Sequence, residues 1–109
     1  MKSPPRGEVW LVDLGLAAKV RPCLVFSVPT LDTDRSVIAL VPHTTSVRGT
    51  RFETLTTVRY LKPGAFDAQG IVTVPLARLV RRLGTLTPVE LGKVERAVLT
   101  WLGMKGGAS

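Results

Sequence analysis

The chain is short of the residues on which most metal and redox sites are built. It has 109 residues but a single cysteine, Cys23, and a single histidine, His43. One cysteine cannot close an internal disulfide, and it excludes a zinc site of the multi-cysteine kind. Cys23 lies in an apolar run, where a buried, inert thiol is expected. No cluster of carboxylates or histidines suggests a metal site, and no cofactor is expected. No apolar run approaches the roughly 20 residues of a membrane-spanning helix. No apolar stretch follows the charge in Met1-Lys2-Ser3-Pro4-Pro5, so no signal peptide is read there, and the cytoplasm is the expected location. Acidic residues are scarce too.

What is present is positive charge. Fifteen basic residues stand against eight acidic ones, a net charge of +7, and ten of the fifteen are arginine. Arginine is planar, permanently charged and suited to gripping phosphate. In a chain this short, that balance favours a polyanionic partner, either nucleic acid or an acidic protein segment. A hydrophobic content of 45% with 21% charged residues reads as a globular chain, and the length suggests a single domain over 1–109, with 1–5 and 104–109 as flexible ends.

The apolar pattern is mostly that of strands. In Glu8-Val9-Trp10-Leu11-Val12-Asp13-Leu14, Trp10, Val12 and Leu14 share one face and Val9 and Leu11 the other, which suits a strand buried on both sides. Trp10 is therefore expected in the core. Gly15 to Val20 is a short loop. Two β-branched runs follow, Val20 to Ser27 and Val37 to Ser46, separated by the turn-rich segment Pro29 to Arg35. Arg48-Gly49-Thr50 reads as a turn, Arg51 to Leu55 as a strand, and Lys62-Pro63-Gly64 as a break. Ile71 to Val74 is a further strand that Pro75 limits. Arg78 to Gly84 fits either a helical turn or a last short strand.

The C-terminal helix has the clearest signature. Thr87 is an N-cap, Pro88 occupies the first helical position, and Glu90 completes a capping box. Leu91, Val94, Val98, Trp101 and Leu102 recur at helical spacing as one apolar stripe, and Gly103 is a plausible stop. Five to seven short strands and one terminal helix make a mainly β protein with a small, strongly curved sheet or barrel.

If the two central runs form an antiparallel hairpin centred between Asp32 and Thr33, paired positions sum to 65. Arg21 then faces Thr44, and cross-strand partners lie roughly 5 Å apart. A fixed cation and a hydroxyl meet where the hairpin opens.

The segments Arg6 to Leu14, Arg21-Pro22-Cys23-Leu24-Val25, Val41-Pro42-His43-Thr44-Thr45-Ser46, Ala68 to Val74 and Arg78 to Gly84, in that order and spacing, resemble the MazF/PemK family. The similarity runs from Arg6 to Leu102. The loop between the first two strands differs: here it is short and apolar, where many members carry a longer polar one. The resemblance implies an SH3-like barrel of the CcdB/PemK type, usually a homodimer, and the toxin half of a type II toxin–antitoxin pair. It implies a sequence-specific endoribonuclease that cuts single-stranded mRNA without metal and is restrained by an acidic antitoxin. By the same resemblance the catalytic residues are Arg21 and Thr44, the pair that the hairpin register brings together.

Metal-free cleavage can use the substrate's own 2′-hydroxyl as nucleophile, leaving the protein to manage protons and charge. Pro22 disfavours a helical backbone at Arg21 and holds it extended. Because arginine stays protonated at ordinary pH, charge stabilisation and proton donation suit Arg21 better than a general base does. Thr44 can donate its hydroxyl, and Thr45 and Ser46 extend the row of hydroxyls. His43 is a candidate proton shuttle, although strand alternation points it away from the Thr44 side chain. Arg48 and Arg51 are candidate phosphate contacts, Gln69 could read a base edge or hold a loop, and Arg81 and Arg82 could serve RNA or an acidic antitoxin segment. Two other functions fit the sequence. One is a CcdB-like poison of DNA gyrase without nuclease activity, which Trp101-Leu102-Gly103 faintly resembles; the other is a non-catalytic RNA-binding module.

Overall fold

The computed structural model describes residues 2–15, 17 and 19–106. Leu16 and Ala18 of the first loop, Met1 and the last three residues of the expected flexible tail lie outside the described residues. Among the described residues seven strands precede one α-helix: β1 (Glu8–Asp13), β2 (Val20–Val25), β3 (Val37–Thr44), β4 (Glu53–Thr56), β5 (Gly64–Asp67), β6 (Val72–Pro75), β7 (Leu79–Thr85) and α1 (Pro88–Trp101). Single turns of 3-10 helix at Ala68–Gly70 and Leu76–Arg78 introduce β6 and β7. The fold is mainly β with a C-terminal helix, as expected.

The strands run in the order β4-β5-β3-β2-β1-β7, and β6 also pairs with β3. Strand β3 is thus the hub. One edge carries β2, while the other carries β6 along its first half and β5 along its last two residues. The barrel expectation needs one adjustment. The hydrogen-bonded path ends at β4 on one side and β7 on the other, so the sheet is not closed.

Alternation along the central strands feeds two cores. Val9, Leu24 and Val41 enter the cluster that Val94 and Val98 of α1 cover, together with Phe66. Val12, Cys23, Val25, Ile38 and Leu40 enter the cluster on the other side, where Trp10 and Leu14 also pack. Strands buried on both faces read as nearly continuous apolar runs, which is why β1, β2 and β3 were legible. Trp10 is partly buried and packs against the second core rather than inside it, and its indole Nε1 donates to Glu8 Oε1 at 3.0 Å.

The helix begins as read. Thr87 Oγ1 accepts from the Glu90 N–H at 3.2 Å, Glu90 Oε1 accepts from the Thr87 N–H at 2.8 Å, and Pro88 follows the cap. It ends in a Schellman motif: Met104 N–H donates to Leu99 O at 2.9 Å and Gly103 N–H to Thr100 O at 3.2 Å, with Gly103 at φ +68°. The expected apolar stripe is buried only in part. Val94 and Val98 are covered, but Trp101 and Leu102 are 42% and 51% exposed. Trp101 packs edge-on against Phe52, 5.2 Å between ring centroids.

Strand β5 was not read from the sequence. Gly64-Ala65-Phe66-Asp67 has little intrinsic strand preference, yet Gly64, Ala65 and Phe66 are all buried between β3 and β4. After Thr56, where β4 ends, the chain turns at Arg59 and Tyr60. The ambiguous stretch Arg78 to Gly84 is strand from Leu79 onward, with only Arg78 in the 3-10 turn that precedes β7. Among the described residues no helix is long and apolar enough to cross a membrane.

Candidate functional site

The β2–β3 hairpin pairs Cys23 with Pro42, Leu24 with Val41 and Val25 with Leu40. Each pair sums to 65, the register expected from the sequence. The paired ladder ends at Cys23 and Pro42, and the same register continued two residues further reaches Arg21 and Thr44. Both line the same two cavities. The first, of about 390 Å3, adds Pro42, Ser46, Arg48, Thr50, Glu53, Asp67 and Gln69. The second, of about 500 Å3, has apolar walls from Leu11, Val20, Pro22, Leu61 and Leu83, and gathers Lys19, Lys62 and Arg81 with Thr45 and Tyr60. Arg21, Thr44 and Ser46 belong to both cavities and so stand on the wall they share.

Arg21 is partly buried, and among the described residues it makes no ion pair. Its backbone carbonyl accepts from the Cys23 thiol at 3.6 Å. Burial pushes that thiol up to about 12, against a smaller opposing pull from the Arg21 charge. Cys23 is therefore a neutral, inert thiol beneath the site, as expected. Thr44 Oγ1 accepts from the Ser46 N–H at 3.0 Å. A hydroxyl whose lone pair is engaged in this way still has its proton to donate, so the bond fixes the turn at the end of β3 without using up the donor.

The remaining sequence candidates divide. Ser46 lies on both cavities, Thr45 on the second, and Arg48 and Gln69 on the first. Arg51 is not brought to either. It is exposed, with its guanidinium 4.6 Å above the Phe52 ring. His43 reaches the wall of the second cavity but is only 4% exposed, edge-on to Phe66 at 5.3 Å between centroids. Burial lowers its pKa, since an imidazolium there would be poorly solvated. Arg81 lines the second cavity, whereas Arg82 turns away to Glu8, 3.1 Å from its carboxylate, and to Thr85.

Sequence reasoning missed the acidic members of the first cavity. Glu53 and Asp67 are Cα partners across β4 and β5. Glu53 Oε2 accepts from the Arg48 N–H at 3.0 Å and Oε1 from the Thr50 N–H at 2.7 Å. These bonds, the Arg48 one foremost, hold its carboxyl below the usual range. Asp67 Oδ1 accepts from the Gln69 N–H at 3.0 Å. An acidic residue two places before Gln69 was the one available signal, and it means little until β5 is recognised. Among the described residues no group of three or more His, Cys, Asp or Glu side chains could hold a metal ion.

Residues 5–102 match the family described as PemK-like, MazF-like toxins of type II toxin–antitoxin systems. Among solved structures, the chain is similar to an endoribonuclease from a mycobacterial species, with 27% identity, 96% of each chain covered and a TM-score of 0.80. It is also similar to a mycobacterial endoribonuclease in complex with its cognate antitoxin, at 27% identity over 95% of this chain and 97% of that one, TM-score 0.76. A MazE–MazF complex from Deinococcus radiodurans shares the fold at 20% identity, covering 94% of this chain and 97% of that one, TM-score 0.78.

Proposed function

The chain belongs to the family of PemK-like, MazF-like toxins of type II toxin–antitoxin systems, and on that premise we propose that it is a sequence-specific endoribonuclease of single-stranded mRNA. The observation that carries the reading is the position of Arg21 and Thr44 on the wall between two cavities. An RNA strand laid across that wall has its phosphorus beside a fixed guanidinium and an alcohol, with room for a nucleotide on either side.

The reaction is an internal transesterification. The 2′-oxygen attacks the adjacent phosphorus, the bond from phosphorus to the 5′-oxygen breaks, and a 2′,3′-cyclic phosphate remains. The 2′-oxygen loses one proton to solvent water, the 5′-oxygen gains one from Arg21, and solvent returns that proton to the guanidine. Arg21 carries two tasks. Its planar fork binds two phosphate oxygens as negative charge builds up, and a guanidinium N–H stands ready to protonate the departing 5′-oxygen. Thr44 donates its hydroxyl to a phosphate oxygen, oriented by the bond that Oγ1 accepts from Ser46. His43 is assigned no proton transfer, because its burial opposes the charged form such a shuttle must pass through. No step requires a metal ion or a cofactor.

The similar mycobacterial endoribonuclease is bound to its cognate antitoxin, and this chain's positive charge suits an acidic antitoxin segment competing for the same ground. We take the working unit to be a homodimer acting in the cytoplasm.

The test is cleavage of a long RNA in excess EDTA, with the ends mapped. Product ending in a 2′,3′-cyclic phosphate, and no product when the 2′-hydroxyl at the cut site is replaced by hydrogen, are the expected results. Cleavage of the 2′-deoxy substrate at an unchanged rate overturns the mechanism. If no RNA is cut under any condition, the non-catalytic reading takes its place.

A further inference from the structure

The first cavity poses an electrostatic problem. It is proposed as part of a path for a polyanion, yet its two arginines, Arg21 and Arg48, are matched by two carboxylates, Glu53 and Asp67. These carboxylates sit directly opposite each other across β4 and β5, an arrangement that is repulsive in itself. Neither makes an ion pair with Arg21 or Arg48 among the described residues.

The two acids resolve the conflict by turning onto backbone N–H groups of opposite loops. Glu53 uses both oxygens, one for the Arg48 N–H and one for the Thr50 N–H, and so straps down the turn that carries Gly49 at φ +77°. Asp67 takes the Gln69 N–H and so caps the 3-10 turn at Ala68–Gly70. Each bond ends on the backbone of a residue whose side chain lines the cavity or flanks one that does. Negative charge is spent on peptide dipoles, and the Arg48 guanidinium is left free of both acids.

Resting on the nuclease reading above, we propose that Glu53 and Asp67 are a pair of positioning residues that set the two walls of the RNA path. Glu53 presents Arg48 to a phosphate, and Asp67 presents Gln69 to a base edge. The like charge across the strands is part of the device, because it drives the two side chains apart onto different loops. The division of labour gives two distinguishable signatures. A lost phosphate contact weakens binding to all sequences alike and flattens the salt dependence. A lost base contact alters the preference among bases and leaves the salt dependence alone.

The experiment measures binding of full-length protein to fully 2′-O-methylated single-stranded RNA, which offers no 2′-hydroxyl to attack, as a function of salt. The probes are 12-mers of A, of C and of U. Arg48→Ala is expected to reduce the slope of log K against log salt by about 0.7. Glu53→Ala is expected to reduce it by the same amount, and the double variant no further. Asp67→Ala should keep the parent slope while drawing the three affinities toward one another. Asp67→Asn, whose side-chain oxygen can still accept from Gln69, should restore the parent preference. Thermal melts check that each variant is folded; where Glu53→Ala is not, Glu53→Gln carries the test with a partial loss of slope. A parent slope in the Glu53 variant, a Glu53 effect that adds in full to that of Arg48, or an unchanged base preference in Asp67→Ala overturns the proposal. If the parent binds these RNAs but cuts a long natural RNA at no site, the nuclease reading falls while slopes and preferences still decide this one. No binding at all overturns this proposal, and cleavage of the long RNA then decides the nuclease reading separately.

Discussion

Gly64 lies flat against the end of β3, where it leaves no space for a side chain. A Cβ built on it runs into the backbone carbonyl of Thr44 and comes within 2.8 Å of His43 Cε1. The β5 strand can therefore pair with His43 and Thr44 only because its first residue is glycine. The backbone of the proposed catalytic threonine is held in place by that close approach.

Gly64→Ala is accordingly expected to push β5 off β3 at Thr44. Overpacking of this kind costs about 1–3 kcal/mol, and cleavage should fall more than the loss of folded protein accounts for. Denaturant midpoints and single-turnover rates measured on the same preparation check it. An alanine variant with parent stability and parent rate would mean that the contact is not tight.

Arg21→Ala should reduce the cleavage rate by on the order of 10²–10³-fold, as when a preorganised charge stabiliser is removed. Thr44→Ala removes one hydrogen bond to a charged group, about 1.5–3 kcal/mol, or about 10–100-fold in rate. Both variants should stay folded, since neither side chain belongs to the two cores. Mapping of cut ends under single-turnover conditions is the measurement. Parent rates in both would show that the reactive wall lies elsewhere.

The pH dependence of stability should have two acid limbs. Burial lowers the pKa of His43 in the folded chain, so below the unfolded value near 6.5 the unfolded chain binds more protons. Stability present above that pH is then lost progressively as pH falls toward the folded value. Glu53 is also lowered when folded, so its contribution is present above its ordinary value and is lost as pH falls through the folded one. His43→Gln should remove the first limb and leave the second. Urea unfolding between pH 7 and 3 separates them.

Cys23 should be silent. It is fully buried, and its thiol is pushed up to about 12, so almost no thiolate exists at neutral pH. Iodoacetamide is expected to leave the native protein unlabelled and its cleavage unaffected, and to label it readily in denaturant. Mass spectrometry after timed exposure reads both.

Trp101 tests the gyrase-poison alternative. Its ring is 42% exposed and packs edge-on against Phe52, so Trp101→Ala should cost about 1 kcal/mol of stability. RNA cleavage should survive the change. Toxicity lost in cells while RNA cleavage is retained in vitro would favour a target bound by the helix end.

Much of this molecule could be read before any coordinates. The α1 cap follows from local chemistry alone, because Thr87, Pro88 and Glu90 satisfy orphan N–H groups within a single turn. The β2–β3 register followed from centring the hairpin between Asp32 and Thr33, which makes paired positions sum to 65, and the observed pairs keep that sum. That register is what put Arg21 and Thr44 together. Tertiary structure decided the rest. Gly64 to Asp67 becomes a strand only through the partners on either side of it, and the opposition of Glu53 and Asp67 exists only once β4 and β5 are paired. Arg48 and Arg51 look alike in sequence, yet Glu53 straps the backbone of one beside the cavity while Phe52 holds the guanidinium of the other outside. Short-range capping and alternation are written residue by residue, whereas the pairing of distant strands depends on the close approach of whole backbones, and no single segment carries that information.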